Sequence, residues 1–180
     1  MVNERAVAVA LDALKQAKWL DITIGTYLEP GYDLQEYLLK LPKTTDVQGL
    51  VPKIRKDCVC CALGACLLAK ANLYDAVPLK QLYGGSTSYK RIELQGDNAY
   101  SALRDVFGTK QCELIESAFE FDDMSKTPGS VNHRKEVRRA EAFGDQYVND
   151  HDRFVAIMEN IVINGGVFVP PPVKDEDEQV

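Results

Sequence analysis

Residues 56–72 read KDCVCCALGACLLAKAN, and this stretch decides the fold. Apart from Gly64, residues 58–69 are all Cys, Val, Ala or Leu, so a helix built from them is apolar around most of its circumference. Such a helix belongs in the interior of a domain. Gly64 costs a helix about 1 kcal/mol relative to alanine, which indicates a close approach by a neighbouring helix. The pattern therefore predicts a buried central helix at 56–72.

Amphipathic patterns on both sides of this stretch predict further helices. Asn3 is a suitable N-cap for a first helix at 4–19, and Asn149 or Asp150 for a last helix closed by Asn164-Gly165-Gly166. Residues 42–55 contain two prolines and a glycine and are expected to form a loop, and a small hairpin is expected near 79–95. The predicted fold class is all-α, a compact bundle of five to seven helices around the central helix.

The chain of 180 residues is long enough for one domain, which we expect at residues 1–166. Residues 167–180 are predicted to form a mobile, Pro-rich acidic tail, because three consecutive prolines favour an extended backbone. The tail supplies about half of the net charge of −6. The body is close to neutral, which excludes a global electrostatic field for nucleic acid.

The sequence also bears on the compartment. The longest nearly apolar run has twelve residues, whereas a membrane helix needs about 20. Asp12 interrupts the N-terminal apolar stretch, so no signal peptide is expected. The five cysteines are odd in number and mostly clustered, which is typical of reduced thiols. We therefore expect a cytoplasmic protein with no membrane contact.

Several segments carry a resemblance to a known family. The order is Lys18-Trp19-Leu20, Cys61-Ala62-Leu63-Gly64-Ala65, Phe121-Asp122-Asp123 and His133-Arg134-Lys135-Glu136-Val137. It resembles a family of small actinobacterial and phage proteins with no established activity, over residues 3–148. Position 122 is Asp where the family usually has Asn, and residues 125–132 are longer than the family's turn. The resemblance implies a shared helical domain and a phage or mobile-element accessory role, in the host cytoplasm if the protein is phage-encoded.

The cysteine cluster offers three interpretations. Buried cysteine packs as a small hydrophobic residue, and this is the favoured one. On a helix Cys58 and Cys61 would lie three residues apart and could share a metal ion. A thiolate near a helix N-terminus is stabilised, so Cys58 or Cys61 could be a nucleophile. His133 or His151 could be its base, with Asp122 or Asp123 orienting the imidazole, and the favoured set is Cys61, His133 and Asp122. The enzymatic alternative requires these three side chains to meet.

The segment 132–148 is the most basic helix of the chain. Arg134 and Arg138 share one helical face, and Lys135 and Arg139 share another. Acidic residues are interleaved and aromatic residues are sparse, so a solvated amphipathic face is the default interpretation of this helix. If the face binds a partner, we expect a protein. Binding of a nucleotide or nucleic acid through the same helix stays an alternative.

The sequence favours a non-enzymatic interaction protein that binds a host or viral macromolecule through Arg134, Arg138 and Arg139. The alternatives are the thiol-dependent enzyme and the nucleic-acid-binding domain. No cofactor is expected. The oligomeric state stays open, because small residues along the central segment could pack within the chain or against a second copy.

Overall fold

A computed structural model describes residues 2–74, 77–81, 96–120 and 131–172. These ranges contain eight α-helices and three short strands. In chain order the elements are α1 (Glu4–Ala17), β1 (Asp21–Ile22), β2 (Glu29–Pro30), α2 (Tyr32–Leu39), α3 (Val51–Ile54), β3 (Cys58–Cys60), α4 (Ala62–Leu73), α5 (Gly96–Phe107), α6 (Thr109–Glu120), α7 (Val131–Gly144) and α8 (Asp150–Ile163).

The predicted all-α class is confirmed, with a small sheet as the exception. The described ranges hold one helix more than the predicted five to seven. The extra one is the four-residue α3, which forms within the expected loop at 42–55 and has proline in its first turn. The expected hairpin near 79–95 lies mostly outside the described residues; its start, Leu79–Gln81, is a 3-10 turn.

The predicted central helix begins later than expected. Residues 62–71 of α4 are all buried, and α4 packs against α1, α5 and α6. Residues 58–60, however, form β3 instead of the first helical turn. Cys58 and Cys60 face the core while Val59 between them is half-buried, which is the alternation of an extended strand. The local sequence is apolar enough for either structure, and pairing with distant segments decides between them.

Those partners are two strands of two residues each. β3 lies in the middle of the sheet, parallel to β1 and antiparallel to β2. Cys60 pairs with Ile22, and Cys58 pairs with Pro30. The sheet therefore holds the chain in position immediately before α4.

Gly64 allows a loop to approach α4. A Cβ atom at this position would lie 1.5 Å from the backbone oxygen of Tyr27. The neighbouring Cys61 N–H donates to the Thr26 oxygen at 2.6 Å, which holds the loop against the helix N-terminus. The close approach expected from the glycine is therefore present, but it comes from the loop between β1 and β2 and not from another helix.

The predicted caps of the first and last helices are confirmed. The Asn3 side chain accepts from the Ala6 N–H, and the Asn149 side chain accepts from the Asp152 N–H. The Asn3 amide also donates to the Val106 oxygen at 2.8 Å, which ties the start of α1 to α5. The helices α1 and α8 pack against each other along the same side of the core.

The chain after α8 remains packed at first. Phe168 is buried at 1% exposure, although the sequence predicted a mobile tail from residue 167. The prediction was wrong for this residue, because a Pro-rich composition does not indicate whether one aromatic side chain within the segment packs against the domain. The acidic residues 173–180 lie outside the described residues. None of the helices in the described ranges is long and apolar enough to cross a membrane.

Candidate functional site

All five cysteines are buried and none forms a disulfide. Cys58 and Cys60 lie on β3, Cys61 precedes α4, Cys66 lies within α4 and Cys112 lies on α6. Burial raises the pKa of every one of these thiols, and it raises that of Cys112 to about 12. In the core, Cys66 contacts the Met158 sulfur at 3.6 Å. The environment is that of packed apolar side chains.

Cys61 is the thiol whose position comes nearest to a catalytic one. It occupies the N-cap of α4, and the backbone N–H groups of Leu63 and Gly64 face its sulfur and favour the thiolate. Burial and the nearby Glu120 carboxylate outweigh them, so the pKa of Cys61 lies above its ordinary value. The direction is opposite to the one expected for an activated nucleophile.

His133 is occupied elsewhere. Its Nε2 lies 3.1 Å from the Glu113 carboxylate, on α6. Cys61 contacts Glu120 on the same helix. Seven residues separate the two glutamates, which corresponds to about 10 Å along a helix. The contacts thus place the imidazole and the thiol about two turns apart, while Asp122 lies outside the described residues.

The alternative metal site loses its geometric basis. It required Cys58 and Cys61 at helical spacing, but residues 58–60 are extended. Among the residues that the structure describes, no group of three or more His, Cys, Asp or Glu side chains is arranged to hold a metal ion.

The basic face of α7 lies on the surface. Arg134 and Arg138 are exposed, and Arg139 is half-buried. Val137 and Ala140 of the same helix are buried, which fixes the orientation of α7. Neither Arg134 nor Arg138 forms an ion pair with any part of the chain that the structure describes. Two guanidinium groups thus face solvent on one helical face.

Sequence reasoning missed a second surface feature, built from cation–π contacts. Arg55 and Lys18 both lie over the Trp19 ring, at 4.1 and 3.9 Å from its centroid. Lys53 lies 3.3 Å from the centroid of Tyr37. The Lys18-Trp19 dipeptide was the only local signal, because Arg55 comes from a distant segment. These cations are already partnered by aromatic rings.

Sequence reasoning also missed the buried charges. Arg153 on α8 is 5% exposed and donates to the backbone oxygens of Phe119, Gly144 and Tyr147. Lys70 on α4 bonds the Ala102 oxygen and the Asp105 carboxylate. Arg153 supplies hydrogen-bond donors to backbone oxygens near helix ends, and Lys70 joins α4 to α5, so the contacts of both side chains are structural.

Comparison with known proteins adds no relative. No protein-family model matches the sequence, and no curated protein or solved structure shows significant similarity to the chain.

Proposed function

We propose that this protein is a non-enzymatic interaction protein whose binding surface is the basic face of α7. The observation that carries the proposal is the pair Arg134 and Arg138, two exposed guanidinium groups one helical turn apart. Arginine is enriched at protein interfaces because its planar group binds carboxylates in a bidentate manner. A surface of this kind fits an acidic patch on a protein partner.

The surroundings of the face favour a protein partner over nucleic acid. Glu141 follows Arg138 by three residues and therefore lies on the same side of α7, and Glu136 pairs with Lys110 on α6 at 2.5 Å. A phosphate backbone is better matched by an uninterrupted basic stripe with aromatic residues beside it. Alternating charges suit a partner that presents both signs, which gives specificity as well as attraction.

The biological setting is supported by the sequence resemblance. The segments 61–65 and 133–137 resemble those of the actinobacterial and phage family, and we place the protein among phage or mobile-element accessory proteins on that basis. In this setting the partner is a host or viral protein in the host cytoplasm.

The thiol-dependent alternative rests on one observation, the two α4 amides that face the sulfur of Cys61. Two observations weigh against it. The thiol is 1% exposed, so a substrate would have to displace packed side chains to reach it. His133 bonds Glu113 and does not serve as its base in this arrangement.

Site-specific photo-cross-linking tests the proposed surface. A photoreactive amino acid at Lys135, which is exposed beside Arg134, is expected to capture a discrete protein adduct in expressing cells. The Arg134→Glu/Arg138→Glu pair should lower the yield of that adduct at least about tenfold, because it replaces attraction with repulsion. The control places the same photoreactive residue at Lys56, which is exposed in the turn between α3 and β3.

The cross-linking outcomes separate the alternatives. A protein adduct from position 135 that is absent from position 56 and is lost on charge reversal supports the proposal. A nuclease-sensitive adduct from position 135 would establish the nucleic-acid alternative instead. Equal labelling from both positions, or an adduct insensitive to charge reversal, would contradict the assignment of this face.

A further inference from the structure

The residues that follow α8 are bound to the domain in the way that a groove binds an extended peptide. After Gly165 and Gly166 the chain turns back along the surface of α8. The Phe168 N–H donates to the side-chain oxygen of Gln111 at 2.6 Å. Val169 makes two backbone bonds to the Asn160 side chain, at 2.8 and 3.0 Å. No regular secondary structure holds these residues in place.

The backbone contacts come from side chains of two helices. Asn160 on α8 accepts from the Val169 N–H and donates to the Val169 C=O, while Gln111 on α6 accepts from the preceding residue. A side-chain amide that binds both backbone groups of one residue recognises an extended chain whatever its side chains are. These backbone bonds supply affinity for an extended segment, and the pocket beside them supplies selectivity for one of its side chains.

The pocket accepts an aromatic side chain. Phe168 is 1% exposed, and its ring meets that of Phe143 on α7 edge to face at 5.4 Å. Val169 is 48% exposed, so the groove does not select the side chain at the position after the phenylalanine. Pro170 follows without a backbone N–H, and Pro171 and Pro172 are exposed. The bound motif is therefore Phe-x-Pro, anchored by one ring.

The connection to the domain permits exchange. Gly165 has φ 67° and Gly166 has φ 96°, and together they produce the reversal of direction after α8. Glycine can leave this conformation without a steric penalty, so an opened turn would direct residues 167–172 away from their own domain. A second copy of the chain offers the same amides and the same pocket to that segment.

We propose that the groove lined by Gln111, Phe143 and Asn160 is a binding site for an extended Phe-x-Pro segment. The chain fills this groove with its own residues 168–170, and the groove can take the same segment from a second copy. In a single chain the tethered segment has an effective concentration in the millimolar range, so the wild-type protein is monomeric at micromolar concentration. Binding of the segment from a second copy becomes measurable once the chain's own segment no longer competes for the groove.

Two variants of the full chain separate the segment from the groove. The groove variant, Gln111→Ala/Asn160→Ala, loses the three backbone bonds but keeps an intact segment. The segment variant, Phe168→Ala, loses the anchor but keeps an intact groove. Each variant alone should sediment as a monomer, because neither has both halves of the contact. Their equimolar mixture should form a 1:1 complex as the intact segment of one binds the intact groove of the other.

Analytical ultracentrifugation of the mixture, at about 100 µM of each chain, measures the complex. We expect at least about ten times more dimer in the mixture than in either variant alone. A mixture of two monomeric species, when both variants melt cooperatively, would overturn the proposal. If Phe168→Ala does not fold, Phe168→Leu takes its place, since it keeps an apolar anchor but loses the edge-to-face contact.

Discussion

Replacing Gly64 with alanine is expected to destabilise the protein by at least about 3 kcal/mol. The added Cβ would lie 1.5 Å from the Tyr27 oxygen, which is far inside any allowed contact. The obstacle is backbone, so no side-chain rotation can relieve it. The loop cannot move away without breaking the bond from Cys61 N–H to the Thr26 oxygen. Alanine's better helix propensity, about 1 kcal/mol, does not offset this clash.

Urea unfolding followed by circular dichroism measures the effect, with Gly49→Ala as the matched control. A Cβ at Gly49 would meet nothing within 4 Å, and its backbone is not left-handed. That substitution should leave the free energy of unfolding within about 0.5 kcal/mol of the wild-type value. If Gly64→Ala unfolds at the same urea concentration as Gly49→Ala, the close packing of the 23–28 loop on α4 described above would be contradicted.

Replacing Arg153 with methionine is expected to cost about 3–5 kcal/mol. The guanidinium donates to the Phe119 oxygen near the end of α6 and to the Gly144 oxygen at the end of α7, at 3.3 and 3.2 Å. It also pairs with the Asp150 carboxylate at 2.7 Å. Methionine keeps much of the volume but leaves the buried Phe119 and Gly144 carbonyls without the donors that Arg153 supplies. The ends of two helices would then lose these hydrogen bonds to α8.

Arg153→Lys tests the same contact more strictly. Lysine keeps the charge but cannot present donors in the planar fork that reaches several acceptors at once, so it should recover at most about half of the loss. Arg138→Ala, an exposed arginine on α7, should change stability by less than about 0.5 kcal/mol. Full stability of Arg153→Lys would show that charge alone matters here and would contradict the role given to the hydrogen bonds.

Sequence patterns predicted the features that depend on neighbouring residues. Asn3 and Asn149 were identified as N-caps because capping involves only the next few residues. The burial of α4 followed from its composition. The basic face of α7 followed from helical periodicity, which places Arg134 and Arg138 together.

The features that were not predicted depend on distant contacts. β3 forms because β1 and β2 pair with it, and two-residue strands leave no periodic signal in a sequence. The sequence around Arg153 gives no sign of its role, because its acceptors are backbone carbonyls of α6 and α7. The separation of Cys61 from His133 likewise follows from how α6 and α7 pack.

The central claim is that the cysteine-rich stretch forms the core and does not perform chemistry, and thiol reactivity tests it most directly. With iodoacetamide at pH 7–9, the five thiols should react at least about a thousandfold more slowly than a free thiol, and only as fast as the protein opens. Burial raises the pKa of Cys61, so little thiolate is present across this range. In urea all five should react. One thiol that reacts rapidly in the folded protein, with a midpoint below about pH 8.5, and whose reaction disappears in Cys61→Ala, would contradict the claim and favour the thiol-dependent alternative.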